Sequence, residues 1–431
     1  MDGRASSQTI TDKIPYFLNA GIEPIVFSAI TGARDTRFPH KQFLAWGPAA
    51  FRFDFRHWIA NQYGRGIFYK TSTGLISFLL APFIALEKFC LGYSSQWSWA
   101  MPVFFHGYKL IHENNIDLIY STGGAWSAHL AGLWLKKKTG LPWIAEIHDP
   151  LIIRKDANDQ GFAKPKNRDA QFRQYLEKQI CKYADLVWWF TDGALHYAKV
   201  RNTNLNTPGN AHGLAIIPGA EPPVNVELSS VDAPHIYGDK LNLCHFGSLA
   251  KDRSLSVILN ALAQLLEKYP EAREKIQVHA YGAPLDDLSK ETIQSLQFEN
   301  VLIAHGRLEK DTITGKSGRE RVLEKMQSAD VLILLHGNDE WCAEYIPSKY
   351  YEYLWTGRPI WALSHRNPQL DGMLEDRGAY LSHAGDEPGI AIALERIWLD
   401  WNSQQLIEPK LLPIGVDQAA SKILSEVEKI N

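Results

Sequence analysis

The chain has 431 residues, enough for about two or three domains at roughly 100–200 residues each. Hydrophobic residues make up 45% and charged residues 22%, a globular composition that excludes disordered, collagen-like and coiled-coil chains. With 45 Lys and Arg against 48 Asp and Glu the net charge is −3, which offers no general pull toward nucleic acid.

Short apolar runs alternate with amphipathic segments, the pattern of a βαβα chain that builds parallel sheets. The opening residues are polar, and a helix predicted over residues 9–20 feeds the strand Pro24–Ala29, so the usual first strand of a Rossmann-like domain is missing from its place. Further strands are predicted at Ile116–Ser121, Pro142–His148, Asp185–Thr191 and Leu214–Pro218, with helices such as Trp126–Lys138 and Phe172–Tyr183 between them. Pro218–Pro223 and the polar residues to Lys240 have the character of a linker.

Beyond it, Leu241–Phe246, Ile276–Tyr281, Val301–Ala304, Val331–Leu335, Pro359–Leu363 and Ala379–Leu381 repeat the pattern at tighter spacing. After a break at Pro413–Gly415, Val416–Ile430 reads as a terminal helix packing across domains. The expected organisation is an α/β chain with Rossmann-like domains at 1–222 and 241–412, a linker at 223–240 and a C-terminal helix within 413–431.

Cys90, Cys181, Cys244 and Cys342 lie far apart, without a C-x-x-C pair or zinc-ligand spacing, which points to a reducing, cytoplasmic compartment. The N-terminus has neither the basic nor the apolar region of a signal peptide. The longest apolar run, Gly74–Leu86, is broken by Pro82 and falls short of the ~20 residues that span a bilayer, so no transmembrane helix is expected.

Some familiar motifs fail on inspection. Thr314-Gly-Lys-Ser-Gly318 has Lys310 where a phosphate-binding loop needs its first glycine. Gly64-Arg-Gly66 lacks the third glycine of a dinucleotide fingerprint, since Tyr69 occupies that place. H-E-x-x-H, G-x-S-x-G and D-x-D are absent, and no metal is expected.

The informative segment runs from Glu344 to Ile360 and follows the strand Val331–Leu335. Pro347 suits the first turn of a helix, Gly357 its C-terminal cap, and Arg358-Pro-Ile360 launches the next buried strand. Glu344 then sits in the loop before the helix and Glu352 on its second turn, roughly 7–8 Å along the axis from Pro347 at 1.5 Å per residue. That is about the span from a diphosphate, seated on free N–H groups at the helix start, to a ribose whose hydroxyls a carboxylate can accept.

In this segment the chain resembles the retaining, family-four glycosyltransferases of the GT-B fold, whose two Rossmann-like domains surround a cleft. Their mark is a Glu, seven residues and a second Glu inside a P-x-K-x-x-E-Y-L-x-x-G-x-P frame, which Glu344 and Glu352 match without a gap. Ile119–Gly132, Thr139–Pro150 and Ala329–Leu335 match further family stretches in order. The resemblance implies that the domain at 241–412 binds a nucleotide-diphosphate sugar as donor substrate, with no cofactor, while the domain at 1–222 serves the acceptor. It implies that Glu352 holds the ribose, Glu344 the hydroxyls of the donor sugar, and that His148 faces that sugar.

The family offers Arg and Lys to the diphosphate after the first strand of the second domain. Here Gly247-Ser-Leu-Ala-Lys-Asp-Arg253 has Ser248 at the Arg place and Arg253 at the Lys place, with Lys251 as a substitute cation. Gly247, Ser248, Lys251, Pro347 and Ser348 complete the donor-binding candidates, and Glu344, His148 and Arg253 the catalytic ones. Blander roles stand beside these: Glu352 as an exposed helical glutamate, His148 as a hydrogen-bonded strand-end histidine, Arg253 as a solvated residue before a helix at Ser254.

From Lys41 to Lys88 six basic residues (Lys41, Arg52, Arg56, Arg65, Lys70, Lys88) stand against Asp54 and Glu87 amid many aromatics. This stretch is either a peripheral contact for anionic lipid or a lipid-linked acceptor at the inner membrane face, or a buried helical insertion with a basic rim. The expected activity is transfer of a sugar, with retention, to a hydroxyl of a glycan or lipid-linked acceptor. The rivals are a sugar-nucleotide epimerase on the same fold and a nucleotide-sugar-binding protein impaired in catalysis by the Ser248 departure.

Overall fold

The structure, a computed structural model, describes residues 5–32, 34–92, 95–152, 165, 167–222, 237–410 and 413–430. Most of the linker expected at 223–240 lies outside the described residues. The chain forms two compact units, one of Met1–Pro218 with Val416–Asn431, the other of Gly219–Gly415.

The first unit opens with the helix α1 (Ala5–Asn19). Strand β1 (Val26–Ala29) then pairs in parallel with β2 (His40–Phe43) as a two-stranded sheet of its own. The sequence reading placed Pro24–Ala29 in one series with the later strands. In the structure it pairs with β2 instead, and two long helices, α2 (Pro48–Tyr63) and α3 (Ile67–Cys90), follow that pair.

The main sheet of this unit has β3 (Ile119–Gly123), β4 (Trp143–Ile147), β5 (Leu186–Trp189) and β6 (His212–Ala215) in sequential order, all parallel. Among the described residues no strand pairs on the outer side of β3, and α1 packs against that strand instead. Strands β4 and β5 are buried along their whole length, as parallel strands covered on both faces must be. The C-terminal helix Val416–Val427 returns to this unit, where Ala419 and Ile423 join Ile144, Leu186, Trp188 and Ile216 in one core. Lys422 Nζ donates to the Ala215 carbonyl at 2.9 Å.

Helix α3 departs from expectation. The run that looked too short and broken lies within a continuous 24-residue helix that passes through Pro82. Proline deletes one backbone donor and crowds the carbonyl four residues earlier, which costs stability yet leaves the helical path intact here. The resulting helix is long and apolar enough to cross a membrane by length and composition, and only 11% of its most apolar stretch is buried.

The second unit holds β7 (Leu241–Gly247), β8 (Ile276–Gly282), β9 (Leu302–Gly306), β10 (Val331–Leu335), β11 (Ile360–Ser364) and β12 (Tyr380–His383). Their order is β12-β11-β10-β7-β8-β9, all parallel. Numbered from β7 this is the doubly wound order 3-2-1-4-5-6, whose strand order reverses between β7 and β10. Leu241, Leu243, Val331 and Ile333 at that seam have no exposed surface, and helix Ser256–Lys268 buries Ile258, Leu259 and Leu262 against the same core.

Candidate functional site

In a doubly wound sheet, ligands bind outside the carboxyl ends of the strands where the order reverses. In the second unit that place is built from the turn after β7 and the loop after β10. The turn Ala250–Arg253 is closed by reciprocal backbone hydrogen bonds of 3.2 and 2.9 Å, which fix the root of Arg253. Arg253 is half-buried rather than freely solvated, and the helix that follows starts at Ser256. Its Nε stands 3.6 Å from Asp252, beyond hydrogen-bond reach. Gly247 is half-buried, whereas Ser248 and Lys251 are exposed on the turn.

Gly337, just past β10, has a φ of 114°, a conformation that favours glycine. A Cβ there would come within 3.2–3.3 Å of Cys342 Sγ, Arg253 Cγ and Asp252 Oδ2. The glycine therefore lets the loop carrying Glu344 close over the side chain of Arg253, residues 91 positions apart in sequence.

Glu344 ends the short 3-10 helix Glu340–Glu344 and is 2% exposed. The loop is pinned from below. Asn367 Nδ2 donates to the carbonyls of Cys342 and Tyr345 at 2.9 and 2.8 Å. His336 accepts the His365 N–H at Nδ1 (3.2 Å), so its Nε2 carries the proton given to the Tyr345 carbonyl at 2.9 Å. Burial pushes the pKa of His336 down to about 4, which keeps it in this neutral form.

The helix after this loop spans only Ser348–Tyr353, with Pro347 at its N-cap, and continues as turns to Gly357 at φ 65°. It is shorter than the sequence pattern implies, and fewer than two turns develop little of the macrodipole expected to seat a diphosphate. Its side chains, rather than its dipole, define the place. Tyr353 OH donates to the Ile333 carbonyl of β10 and accepts the Phe246 N–H of β7, both at 3.2 Å, and so ties the helix across the seam. Tyr350 and Tyr351 are buried.

Glu352 is half-buried, and Lys349 Nζ donates to both its oxygens at 2.9 and 2.7 Å. The imidazole of His245, 5% exposed on β7, is pushed down to about 4 by burial, with the charges of Arg253 and Lys349 adding to the effect. Arg253 and Lys349 thus both act on the end of β7, Lys349 holds Glu352 there, and Glu344 rides on the loop that closes over Arg253. Ser348 is exposed and Pro347 half-buried at the edge of this group.

His148 belongs to the first unit, directly after β4, and is 9% exposed. Its Nε2 lies 3.0 Å from Thr122 Oγ1 and 3.1 Å from Glu146 Oε1, and its ring packs on Phe190 with centroids 4.6 Å apart. It sits at the strand end as a hydrogen-bonded histidine, one of the two roles the sequence allows. Gly124 brings the β3 turn against the same corner, since a Cβ there would meet Asp149 Oδ2 at 2.5 Å.

Sequence reasoning missed the group behind His148. Glu146 has no exposed surface, and it receives hydrogen bonds from Lys13 of α1 and from Tyr120 of β3. Burial alone would raise its pKa, but Lys13 and His148 outweigh that and hold the carboxyl well below its usual range. Lys13 lies 133 positions from its partner, and nothing in the local sequence marks it. Among the described residues no group of three or more His, Cys, Asp or Glu side chains is arranged to hold a metal ion.

The sequence matches no protein-family model and no curated protein. Solved structures do match. An α,α-trehalose-phosphate synthase (UDP-forming) from Burkholderia vietnamiensis superposes with a TM-score of 0.53 at 11% identity, over 78% of this chain and 80% of that one. The trehalose-6-phosphate synthase OtsA gives 0.52 at 15% identity, over 78% and 77%. A Staphylococcus aureus TarM mutant, solved with fondaparinux, alpha-GlcNAc-glycerol and UDP, gives 0.49 at 11% identity, and this chain spans 56% of its length. The fold of this chain is that of the GT-B glycosyltransferases, with two Rossmann-like units.

Proposed function

We propose that this protein is a retaining glycosyltransferase that moves a sugar from a nucleotide-diphosphate donor to a hydroxyl of a glycan or lipid-linked acceptor. The observation that carries the reading is that the crevice where the strand order reverses between β7 and β10 is built by Arg253, by the loop that carries Glu344 and closes over it, and by the helix of Lys349 and Glu352 that Tyr353 ties across the seam. In this reading Glu352 accepts the ribose hydroxyls and Glu344 the hydroxyls of the donor sugar. Arg253, with Lys251 nearby on the turn, supplies positive charge to the departing diphosphate, the largest stabilisation such a step can draw on. Gly247, Ser248, Pro347 and Ser348 line the donor side, and His148 keeps the candidate sugar contact that the resemblance implies.

The acceptor side belongs to the first unit, where a hollow of about 480 Å³ is lined by Arg34, Lys41, His40, Gln42, Phe43 and His106. Two cations on its wall suit an acceptor that carries phosphate. All four cysteines are free thiols, in keeping with a cytoplasmic site of action.

Because the Burkholderia enzyme is UDP-forming, UDP-sugars are the first donors to test. Calorimetric titration with a panel of nucleotide sugars, followed by assay of donor hydrolysis, tests the proposal. Binding with slow release of free nucleotide and sugar supports it. Isomerisation of the donor sugar identifies an epimerase, binding without turnover an impaired protein, and absence of binding defeats the nucleotide-sugar reading.

A further inference from the structure

Helices α2 and α3 form a hairpin joined by the exposed turn Gly64-Arg65-Gly66. One face of α3 packs on α2 and buries Thr73 and Ile84. At about 100° per residue, Ile67, Phe68, Leu75, Phe78, Phe83 and Phe89 fall within a single arc of roughly 160° on the opposite side. Phe68 meets the Tyr63 ring at 4.9 Å between centroids, but most of the arc stays open, with Ile67, Phe78 and Phe89 82%, 78% and 83% exposed. An apolar face interrupted by two hydroxyl residues, Thr71 and Ser72, over a helix of about 36 Å far exceeds the scattered exposed apolar residues normal on a soluble surface.

Charged side chains stay outside the arc. Lys70 and Lys88 fall at one angular position, about 60° outside the arc by the same rotation per residue. Glu87 lies beyond the other edge and is already engaged by the Ala49 N–H and Trp97 Nε1, each at 3.0 Å. Within the arc, the Thr71 hydroxyl is turned back onto the Ile67 and Phe68 carbonyls at 3.1 Å, so it presents no unpaired donor. Asp54, the other acid of the hairpin, is buried and accepts the Ala45 N–H. A protein of net charge −3 therefore offers one locally basic element, the complement of anionic headgroups beside hydrocarbon.

We infer that α3 is a monotopic membrane anchor: it lies in the plane of a phospholipid bilayer with this arc in the acyl chains and Lys70 and Lys88 at the headgroups. Length alone would allow it to span. Its C-terminal end is tied down, however, where Arg168 Nη1 donates to the Cys90 carbonyl at 2.7 Å. Spanning would also carry Arg52 and Arg56 of the attached α2 into hydrocarbon, where a buried cation is costly. The inference rests on the hairpin and is independent of sugar transfer.

Co-sedimentation of the full chain with phosphatidylcholine vesicles, and with vesicles that also contain phosphatidylglycerol, tests it. The protein should pellet with the anionic vesicles more than with the neutral ones, and salt should weaken the difference between them. Phe78→Glu/Phe83→Glu should leave it in the supernatant with unchanged circular dichroism. Lys70→Gln/Lys88→Gln should lower partitioning into anionic vesicles about thirtyfold, at ~1 kcal/mol per cation. Ile313→Glu, at a 93% exposed position in the other unit, should pellet as the wild type does. Failure of the wild type to bind either vesicle, or binding of the double glutamate variant equal to wild type, overturns the inference.

Discussion

Lys349 clamps Glu352: one ammonium reaches both carboxylate oxygens, at 2.9 and 2.7 Å, from three residues earlier on the same short helix. An ionised carboxylate has about four acceptor sites, so the clamp uses two and leaves two for the vicinal hydroxyls of a ribose. The side chain is thereby held in one rotamer before any ligand arrives, and that lowers the ordering cost of binding.

Lys349→Met should accordingly act on the same step as Glu352→Gln. Each should raise the donor KM, and because the two residues form one unit the double variant should cost clearly less than the sum of the singles. Steady-state kinetics on the four proteins decide it. Additive effects would mean that Lys349 contacts the donor independently of Glu352.

Stability should fall in acid in two stages. Burial pushes His129, His245 and His336 down to about 4, so below the ordinary value near 6.5 the unfolded chain takes up protons that the folded chain refuses. Their contribution is complete above about 6.5 and is lost as the pH falls toward about 4. Glu146 acts lower: its depressed carboxyl stabilises the fold above the ordinary carboxylate range and loses that contribution below it. Urea melts across this range should show the histidine stage first, and a flat profile between about pH 6.5 and 4.5 would contradict it.

How much of this was legible in the sequence depends on how local each feature is. The six strands of the second sheet were, because a buried parallel strand is a continuous apolar run and helices of ordinary length separate them. The glutamate frame was, because both carboxylates and the proline and glycine that bound the helix lie within one short segment. Two kinds of feature were not. The pairing of β1 with β2 depends on what the chain does over the following residues, and β2, His40–Phe43, is too short and polar to announce itself. The partnership of Lys13 with Glu146 and the closure of Gly337 over Arg253 are made by topology alone, between residues with no common local pattern. Helix α3 was misjudged for another reason: a proline reads as a break, whereas a helix that loses one hydrogen bond can continue.

Removing Lys13 should be far more damaging than removing it together with its partner. Lys13→Met leaves the Glu146 carboxylate buried beside Tyr120 and His148 without its cation, at a cost of about 3–5 kcal/mol. Lys13→Met/Glu146→Gln removes the stranded charge and should recover most of the loss in Tm. With the fold recovered, this double variant also shows whether Glu146 orients His148. If it does, kcat should drop toward that of His148→Ala while the donor KM stays near wild type. Wild-type turnover in the double variant would reduce Glu146 to a structural role.

The two glutamates of the candidate site should separate kinetically, because in their proposed roles each meets a part of the donor that behaves differently during transfer. Ribose is unchanged between ground state and transition state, so Glu352→Gln should remove uniform binding, raising donor KM by the equivalent of about 1–3 kcal/mol with a smaller change in kcat. The donor sugar instead develops positive charge at its anomeric carbon, and Glu344 is 2% exposed, where water screens little of the field of a carboxylate. Glu344→Gln, which keeps shape and volume but loses the charge, should therefore act chiefly on kcat. Both mutants altering only KM would remove Glu344 from the reacting sugar. Neither altering donor binding or turnover would remove the nucleotide sugar from this crevice altogether.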